Sequence, residues 1–329
     1  MDQTIREQTI RTASGLVAAG LLPPGRESEA AAVATRYAIA VTPIVAGMID
    51  AADPADPIAR QYIPDGAELT TAAWEIDDPT ADAPFTPIKG VVHRYPDRAL
   101  LKPLLACPVY CRFCFRREVV GPGGGLLSDA ELEAALDWFA ATPAVTEAIL
   151  TGGDPLMLSP RRLARIMQRL SAIPHIQVIR LHSRVPVSDP DRVTEAQVAA
   201  LETEKALFLC VHANHAREFS APAAAALRRL NRSGVVLLGQ SVLLRGVNDT
   251  SEALEALFRA MLRHRVKPYY LHQLDAAPGT ARFAVPPEEG LRLVANLRGR
   301  VTGLAWPTYV VESPGGGGKR LVTAQVQAA

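Results

Sequence analysis

The sequence predicts an α/β protein, a partial (β/α)6 barrel preceded by a helical region. From about residue 98, short apolar runs alternate with capped amphipathic stretches. Strict alternation of this kind argues for a parallel sheet with helical crossovers. Six such units follow one another, starting from a loop that holds three of the four cysteines. In barrels the reactive groups sit on loops leaving the C-terminal ends of strands, which is where this chain places its unusual residues. A doubly wound open sheet is the alternative. The expected organisation is a helical region over 1–90, a barrel core over 91–300 and a C-terminal segment over 301–329.

Residues 1–90 alternate helical pieces with loops rich in proline and aspartate, such as Asp50 to Ile58 and Asp77 to Pro84. Aspartates before proline are ordinary turn formers, so these loops are read as turns rather than metal sites. Ala99 to Leu105 is the first strand, with the cysteine loop at its C-terminal end. Ser128 and Glu131 form a capping box that opens a helix through Ala141, and Ala148 to Thr151 is the next strand. Ser159-Pro160 starts a helix towards Ile173, Gln177 to His182 is a strand, and Thr194 caps another helix. Leu207 to His212 is the fourth strand. Pro222 to Asn231 is a helix stopped by Gly234, Val235 to Leu244 the fifth strand, and Asp249 to His264 a helix. Lys267 to Gln273 is the sixth strand, Pro286 to Leu297 a last helix and Tyr309 to Glu312 a short final strand.

Composition narrows the partners. The formal net charge is +1, from 35 basic and 34 acidic groups, so no long-range field gathers nucleic acid or an anionic membrane. A small-molecule substrate is expected. The first residues carry charges of both signs and no apolar signal core. The most apolar window, Ala30 to Ile49, is broken by Arg36 and Pro43 and reads as a packed helix and turn rather than a membrane span. A cytoplasmic protein with reduced thiols is expected.

The chemistry centres on Cys107-Pro-Val-Tyr-Cys111-Arg-Phe-Cys114. Three thiolates on a 4Fe-4S cube leave one iron open to an outside ligand, which suits catalysis better than electron storage. The alternatives are a structural zinc site, which lacks a local fourth ligand, and three unrelated thiols; tight cysteine clusters seldom arise in a reduced compartment without a metal. The C-x3-C-x2-C spacing resembles the signature of radical S-adenosyl-L-methionine (SAM) enzymes, whose usual fold is the partial (β/α)6 barrel. Cys210 is read as a core thiol.

After the second strand, Gly152 and Gly153 let the backbone approach a ligand, and the Asp154 carboxylate offers an acceptor for an ammonium group. The matching stretch of radical SAM enzymes holds the amino group of SAM, although Gly-Gly-Asp-Pro also makes a plain turn. His212 and Gln240 lie near the same rim and are read as cofactor contacts. His182 is left open between ligand and core residue. In Ser313-Pro-Gly-Gly-Gly-Gly-Lys319, four glycines need a reason, and the lysine after them can form a Schiff base with pyridoxal 5'-phosphate (PLP). Taken alone, a flexible tail with an exposed lysine explains this stretch as well.

Together these stretches resemble the lysine 2,3-aminomutase family, the PLP-dependent branch of the radical SAM enzymes. The likeness runs from Asp56 to Gln61, through His93 to Arg98 and Cys107 to Arg117, to Pro268 to Asp275 and the glycine-rich lysine loop. It implies that Cys107, Cys111 and Cys114 hold the cluster and that Lys319 carries PLP. It implies that Arg94, Tyr95 and Arg98 help bind PLP. Arg116 matches the arginine that grips the substrate α-carboxylate, and Asp275 one of two carboxylates that hold the ε-ammonium. At the second carboxylate position the family has aspartate and this chain has Glu312. The family's longer members carry a cysteine-bearing C-terminal extension that binds zinc. This chain is expected to bind none, and any homo-oligomer to be built differently.

The implied activity is transfer of the amino group of L-lysine from C2 to C3, giving β-lysine, with an electron donor to reduce the cluster. The same chemistry on glutamate is an alternative, opposed by Asp275. The Cys111 to Arg117, Ile179 to Pro186 and Gln240 to Asp249 stretches are similar to short bacterial enzymes that supply β-lysine for elongation factor P, whereas the glycine-rich lysine loop is closer to the longer enzymes, and the mixture leaves the pathway open. A non-catalytic iron–sulphur or PLP-carrying protein is a rival of another class.

Overall fold

The computed structural model describes residues 8–121, 125–313 and 317–323. Residues 314–316 of the glycine run, like the first seven, lie outside the described residues. One nine-stranded sheet organises the chain, its strands lying side by side in sequence order. Four short helices come first: α1 (Ala13–Ala18), α2 (Glu27–Ala34), α3 (Pro43–Met48) and α4 (Ala59–Tyr62). The sheet then opens with β1 (Val91–Tyr95) and β2 (Arg98–Leu104), followed by α5 (Asp129–Ala140), β3 (Glu147–Gly152), α6 (Pro160–Ser171) and β4 (Val178–Ser183). Next come α7 (Val185–Ser188), α8 (Glu195–Ala199), β5 (Ala206–His212), α9 (Ala221–Arg232), β6 (Val236–Val242), α10 (Ser251–Arg263) and β7 (Lys267–His272). The last elements are α11 (Pro287–Leu297), β8 (Thr308–Ser313) and β9 (Gly318–Leu321).

From β2 to β8 every neighbouring pair is parallel. A doubly wound sheet reverses its strand order at a switch point, and this one never does. The barrel expectation therefore stands over the open-sheet alternative. Local sequence explains the elements: Ser128 and Glu131 complete a reciprocal capping box at α5, Ser159 caps α6 ahead of Pro160, and Gly234 at φ +87° turns the chain after α9.

Two strands lie outside what the apolar pattern predicts. β1 pairs antiparallel with β2, and β9 antiparallel with β8. Neither carries a long apolar run: β1 reads Val-Val-His-Arg-Tyr and β9 Gly-Lys-Arg-Leu. Strands at a sheet edge need little apolar side chain, so hydrophobic pattern misses them. They are the two ends of the sheet, and they meet: the Lys319 N–H donates to the Tyr95 hydroxyl at 2.6 Å.

Side-chain alternation divides each parallel strand between two environments. On β4, Ile179 and Leu181 are buried in the main core with Leu163, Ile166 and Leu170 of α6, while Arg180 and His182 face the barrel interior. The interior is thus lined with polar groups, and the apolar core lies between sheet and helices. A second core, with Leu16, Val41, Val45, Ile58 and Tyr62, holds the N-terminal helices together. No helix among the described residues is long and apolar enough to cross a membrane.

The N-terminal region is joined to the barrel by charge. Glu68 is fully buried and accepts from Arg112 Nε at 2.9 Å and Nη2 at 2.5 Å; Arg117 Nη2 donates to the same carboxylate. Asp53 and Asp78 are turn formers, accepting from backbone N–H groups nearby. Asp56 and Asp82 do more, pairing with Arg217 at 2.6 Å and with Arg116 at 3.0 Å. Removing one member of a buried ion pair costs about 3–5 kcal/mol, because the partner's charge is stranded. Glu68→Ala is therefore expected to destabilise the fold by about that amount in denaturant titration. Glu252→Ala, which breaks an exposed pair with Arg300, is expected to leave the denaturation midpoint almost unchanged.

Candidate active site

The cysteine loop leaves β2 and is pinned along its whole length. Tyr110 N–H donates to Ala40 O at 3.0 Å, Arg112 N–H to Gln61 O at 2.9 Å and Arg112 Nη1 to Ala38 O at 2.7 Å. Between the cysteines, Val109 enters the N-terminal core. Tyr110 packs with Val33 and Tyr37, and Phe113 with Leu244, Leu274 and Phe283. The residues separating the thiols are thus anchors that aim the sulfurs.

The Gly-Gly stretch fixes the other side of this loop. Gly153 N–H donates to Leu104 O at 2.8 Å and Asp154 N–H to Ala106 O at 2.9 Å. A Cβ on Gly153 would stand 2.3 Å from Ala106 O, and one on Gly152, at φ +100°, 2.8 Å from Leu104 O. Both glycines are required by backbone closeness alone. The Asp154 carboxylate accepts from Ser183 Oγ at 2.8 Å and from the N–H groups of Arg184 and Val185 at 2.7 and 3.0 Å. Its lone pairs are used in tying β3 to the start of α7, so it is a brace in this structure rather than a free acceptor for an ammonium group.

A cavity of about 470 Å³ fills the barrel interior and is lined by every candidate site residue named from the sequence. Cys107, Cys111, Cys114, Gly152, Gly153 and Asp154 line it from the cysteine loop and the end of β3, and His182, His212 and Gln240 from successive strands. The charged residues Arg94, Arg98, Arg116, Asp275, Glu312 and Lys319 line it together with Tyr95. The cysteine triad and Lys319 open into the same space because the β8–β9 hairpin turns Lys319 back onto the sheet.

The charged residues form a linked set. Glu312 is buried, accepts from Arg94 Nη2, and lies 3.1 Å from Lys319 Nζ. Arg94 Nη1 donates to Thr80 O, and the Arg98 guanidinium stacks on the Tyr95 ring at 3.6 Å. Arg116 is held by Asp82 through Nη2 at 3.0 Å and Nε at 3.2 Å. Burial, reinforced by Glu312, lifts the Asp275 carboxyl from its ordinary 3.8 to about 7, against the pull of Lys319, Arg116 and Arg94. Burial holds His182 and His212 well below the ordinary imidazole value, and each has a buried Nε2 with no partner among the described residues.

Several lining or supporting residues escape the sequence reading. Arg180, Tyr269, Tyr270 and His272 line the interior, and burial drives His272 down to about 3. The alternation of β4 and β7 is the signal that could have found Arg180, Tyr270 and His272; Tyr269, next to Tyr270, breaks that alternation. Arg112 and Arg117 are buried supports, not solvated charges. Arg184 and Glu218 form a buried pair at 2.7 Å beside Cys111; Arg184 falls in the Ile179 to Pro186 stretch, but nothing in the sequence links it to Glu218.

Residues 101–259 match the Radical SAM superfamily; with the singly wound sheet and the cysteine loop, this defines a radical SAM protein. L-lysine 2,3-aminomutase of Clostridium subterminale is 39% identical over 281 residues, covering 85% of this chain and 68% of the relative. The enzyme of the same name from Acetoanaerobium sticklandii is 38% identical over the same shares. Glutamate 2,3-aminomutase of Clostridioides difficile is 33% identical over 87% of this chain and 68% of its own length. The chain belongs to the lysine 2,3-aminomutase family and is an isomerase of the radical SAM class.

The cofactors implied by that membership are a 4Fe-4S cluster, SAM and PLP. The residues present fit them. Three free thiols on one anchored loop suit three corners of a cube. Burial raises Cys107 and Cys114 and lifts Cys111 to about 11, so the thiolate form calls for a bound cation. The unpartnered His182 and His212 nitrogens suit a polar ligand in the cavity. Lys319, among Arg94, Arg98 and Tyr95, suits a phosphorylated aldehyde. Gly153→Ala is expected to push the cysteine loop from its place, costing about 1–3 kcal/mol or more. Iron and sulfide content after reconstitution should fall well below that of the unaltered protein.

Proposed function

We propose that the protein moves the amino group of L-lysine from C2 to C3. The observation that carries this reading is the Asp275 and Glu312 pair beside Lys319, in the cavity that the cysteine triad also faces. When bound, the reduced cluster and SAM would supply a carbon radical capable of removing hydrogen, and PLP a conjugated system able to spread an unpaired electron. In this reading Cys107, Cys111 and Cys114 would hold the cluster, and Gly152, Gly153, His212 and Gln240, which line the same cavity, would contact SAM. Asp154 keeps the two glycines in place.

Lys319 anchors PLP, and Arg94, Tyr95 and Arg98 surround the phosphate end. Arg116, braced by Asp82, presents a guanidinium to the α-carboxylate of the substrate. Asp275 takes the ε-ammonium. Glu312 is the second carboxylate of the pair and is already paired with Arg94, whereas Asp275 has no ion-pair partner among the described residues, so Asp275 is the carboxylate left to discriminate side chains. A γ-carboxylate placed there would meet a like charge. The protein's task is to hold C3 near the radical source and keep water out.

The relative named glutamate 2,3-aminomutase gives the second reading its weight, and one experiment separates the two. The protein, reconstituted anaerobically with iron, sulfide, PLP, SAM and a reductant, should convert lysine to β-lysine and leave glutamate unchanged; β-glutamate without β-lysine would reverse the assignment. Lys319→Ala should lose the visible absorption of covalently held PLP and at least about 10³-fold in kcat.

Asp275 gives the reading a pH signature. With its carboxyl near 7, the ammonium meets an anion above that pH and a neutral acid below it. KM for lysine should rise as pH falls through about 7, and Asp275→Asn should remove that dependence. For folding the sign is opposite. The native state holds this proton more tightly than the unfolded chain, so the Asp275 contribution to stability is lost as pH rises from 3.8 to about 7.

A further inference from the structure

Arg184 stands directly after β4, and its guanidinium reaches the cysteine loop. Nη1 donates to Cys111 Sγ at 3.4 Å, and Nη2 donates to Glu218 Oε2 at 2.7 Å and to Gln61 Oε1 at 2.6 Å. Glu218 is fully buried and fixed in turn, because its Oε1 accepts from the N–H groups of Asn214 at 2.7 Å and His215 at 2.9 Å. The rings of Tyr62 and Phe113 lie 5.0 and 5.2 Å from the guanidinium. The pair is therefore surrounded by protein rather than screened by water. Neither Cys107 nor Cys114 has such a side-chain donor among the described residues. Among the three sulfurs, Cys111 is the one that accepts directly from a guanidinium.

We propose that the Arg184–Glu218 pair sets how readily the cluster accepts an electron, acting through Cys111. This rests on the reading that the triad holds the cluster. One electron, from a low-potential one-electron donor, makes the cluster more negative by one charge, and no proton need move. A guanidinium donating to a ligand sulfur stabilises that added charge, and hydrogen bonds to sulfur are one of the levers that set cluster potentials. Glu218 opposes the effect from one bond further away, so the pair acts as a dipole with its positive end on the sulfur. Arg184 is a positioning residue in this account.

A purely mechanical role is the rival, since Arg184 also links α4 to the loop after β5. Redox titration of the reconstituted protein without SAM, followed by electron paramagnetic resonance, separates them. Arg184→Gln should shift the midpoint potential to a more negative value, and Glu218→Gln, which removes the opposing charge but keeps an oxygen for the two N–H groups, to a more positive one. Arg184→Lys keeps the charge and should stay closer to the unaltered protein than Arg184→Gln. If Arg184→Gln does not retain a cluster, Glu218→Gln carries the test alone, and a potential equal to or more negative than that of the unaltered protein overturns the proposal. Equal potentials in variants with full iron and sulfide content, or shifts of one sign in both charge-altering variants, would overturn the proposal. Failure of the unaltered protein to take up a cluster would instead remove the reading beneath it.

Discussion

Glu68, enclosed between Arg112 and Arg117 without access to water, is the interaction on which the site depends. The two arginines flank the last cysteine of the motif, and the glutamate comes from the N-terminal region. A buried carboxylate is tolerable only if it is fully paired, and Arg112 and Arg117, with Arg282 at 3.6 Å and the Asp65 N–H at 2.9 Å, supply that pairing. The consequence is geometric. A loop of glycine-free but otherwise irregular backbone, which would wander if left in solvent, is held from the N-terminal side by charge and from the β3 side by backbone hydrogen bonds. Three sulfurs then face the cavity in one arrangement.

The rest of the barrel follows from the period-two alternation of its strands. Apolar residues on the outer face bury against the helices and stabilise the sheet, which frees the inner face to be polar. The interior can therefore carry histidines, arginines and tyrosines that a closed apolar core would exclude. Because the strands lie in sequence order, the first and last hairpins become the sheet's two ends, and the Tyr95–Lys319 contact joins them. Arg94 from the first hairpin and Lys319 from the last share Glu312. A lysine far from the cysteines in sequence reaches the same cavity by this route.

Much of this is legible in the sequence. The capping residues Ser128, Ser159 and Thr194, and the apolar runs between them, mark the alternating units, and the cysteine spacing marks the site. The edge strands are not legible, because β1 and β9 gain their place from partners rather than from apolar pattern. Asp154 reads as a free ligand, yet its use as a brace depends on Ser183 and Arg184, which approach only once β3 and β4 pair. Arg112, Arg117 and Arg184 look like surface charges when read singly. Their burial follows from acidic partners distant in sequence, Glu68 and Glu218, which no local pattern connects to them.

The central claim is that a substrate held beside Lys319 lies within reach of chemistry begun at the cysteine triad. The most direct test is to supply lysine deuterated at C3 to the reconstituted protein with SAM, PLP and reductant, and to follow the label by mass spectrometry. The account predicts deuterium in 5'-deoxyadenosine and in the β-lysine product. Formation of 5'-deoxyadenosine that never carries the label would contradict it.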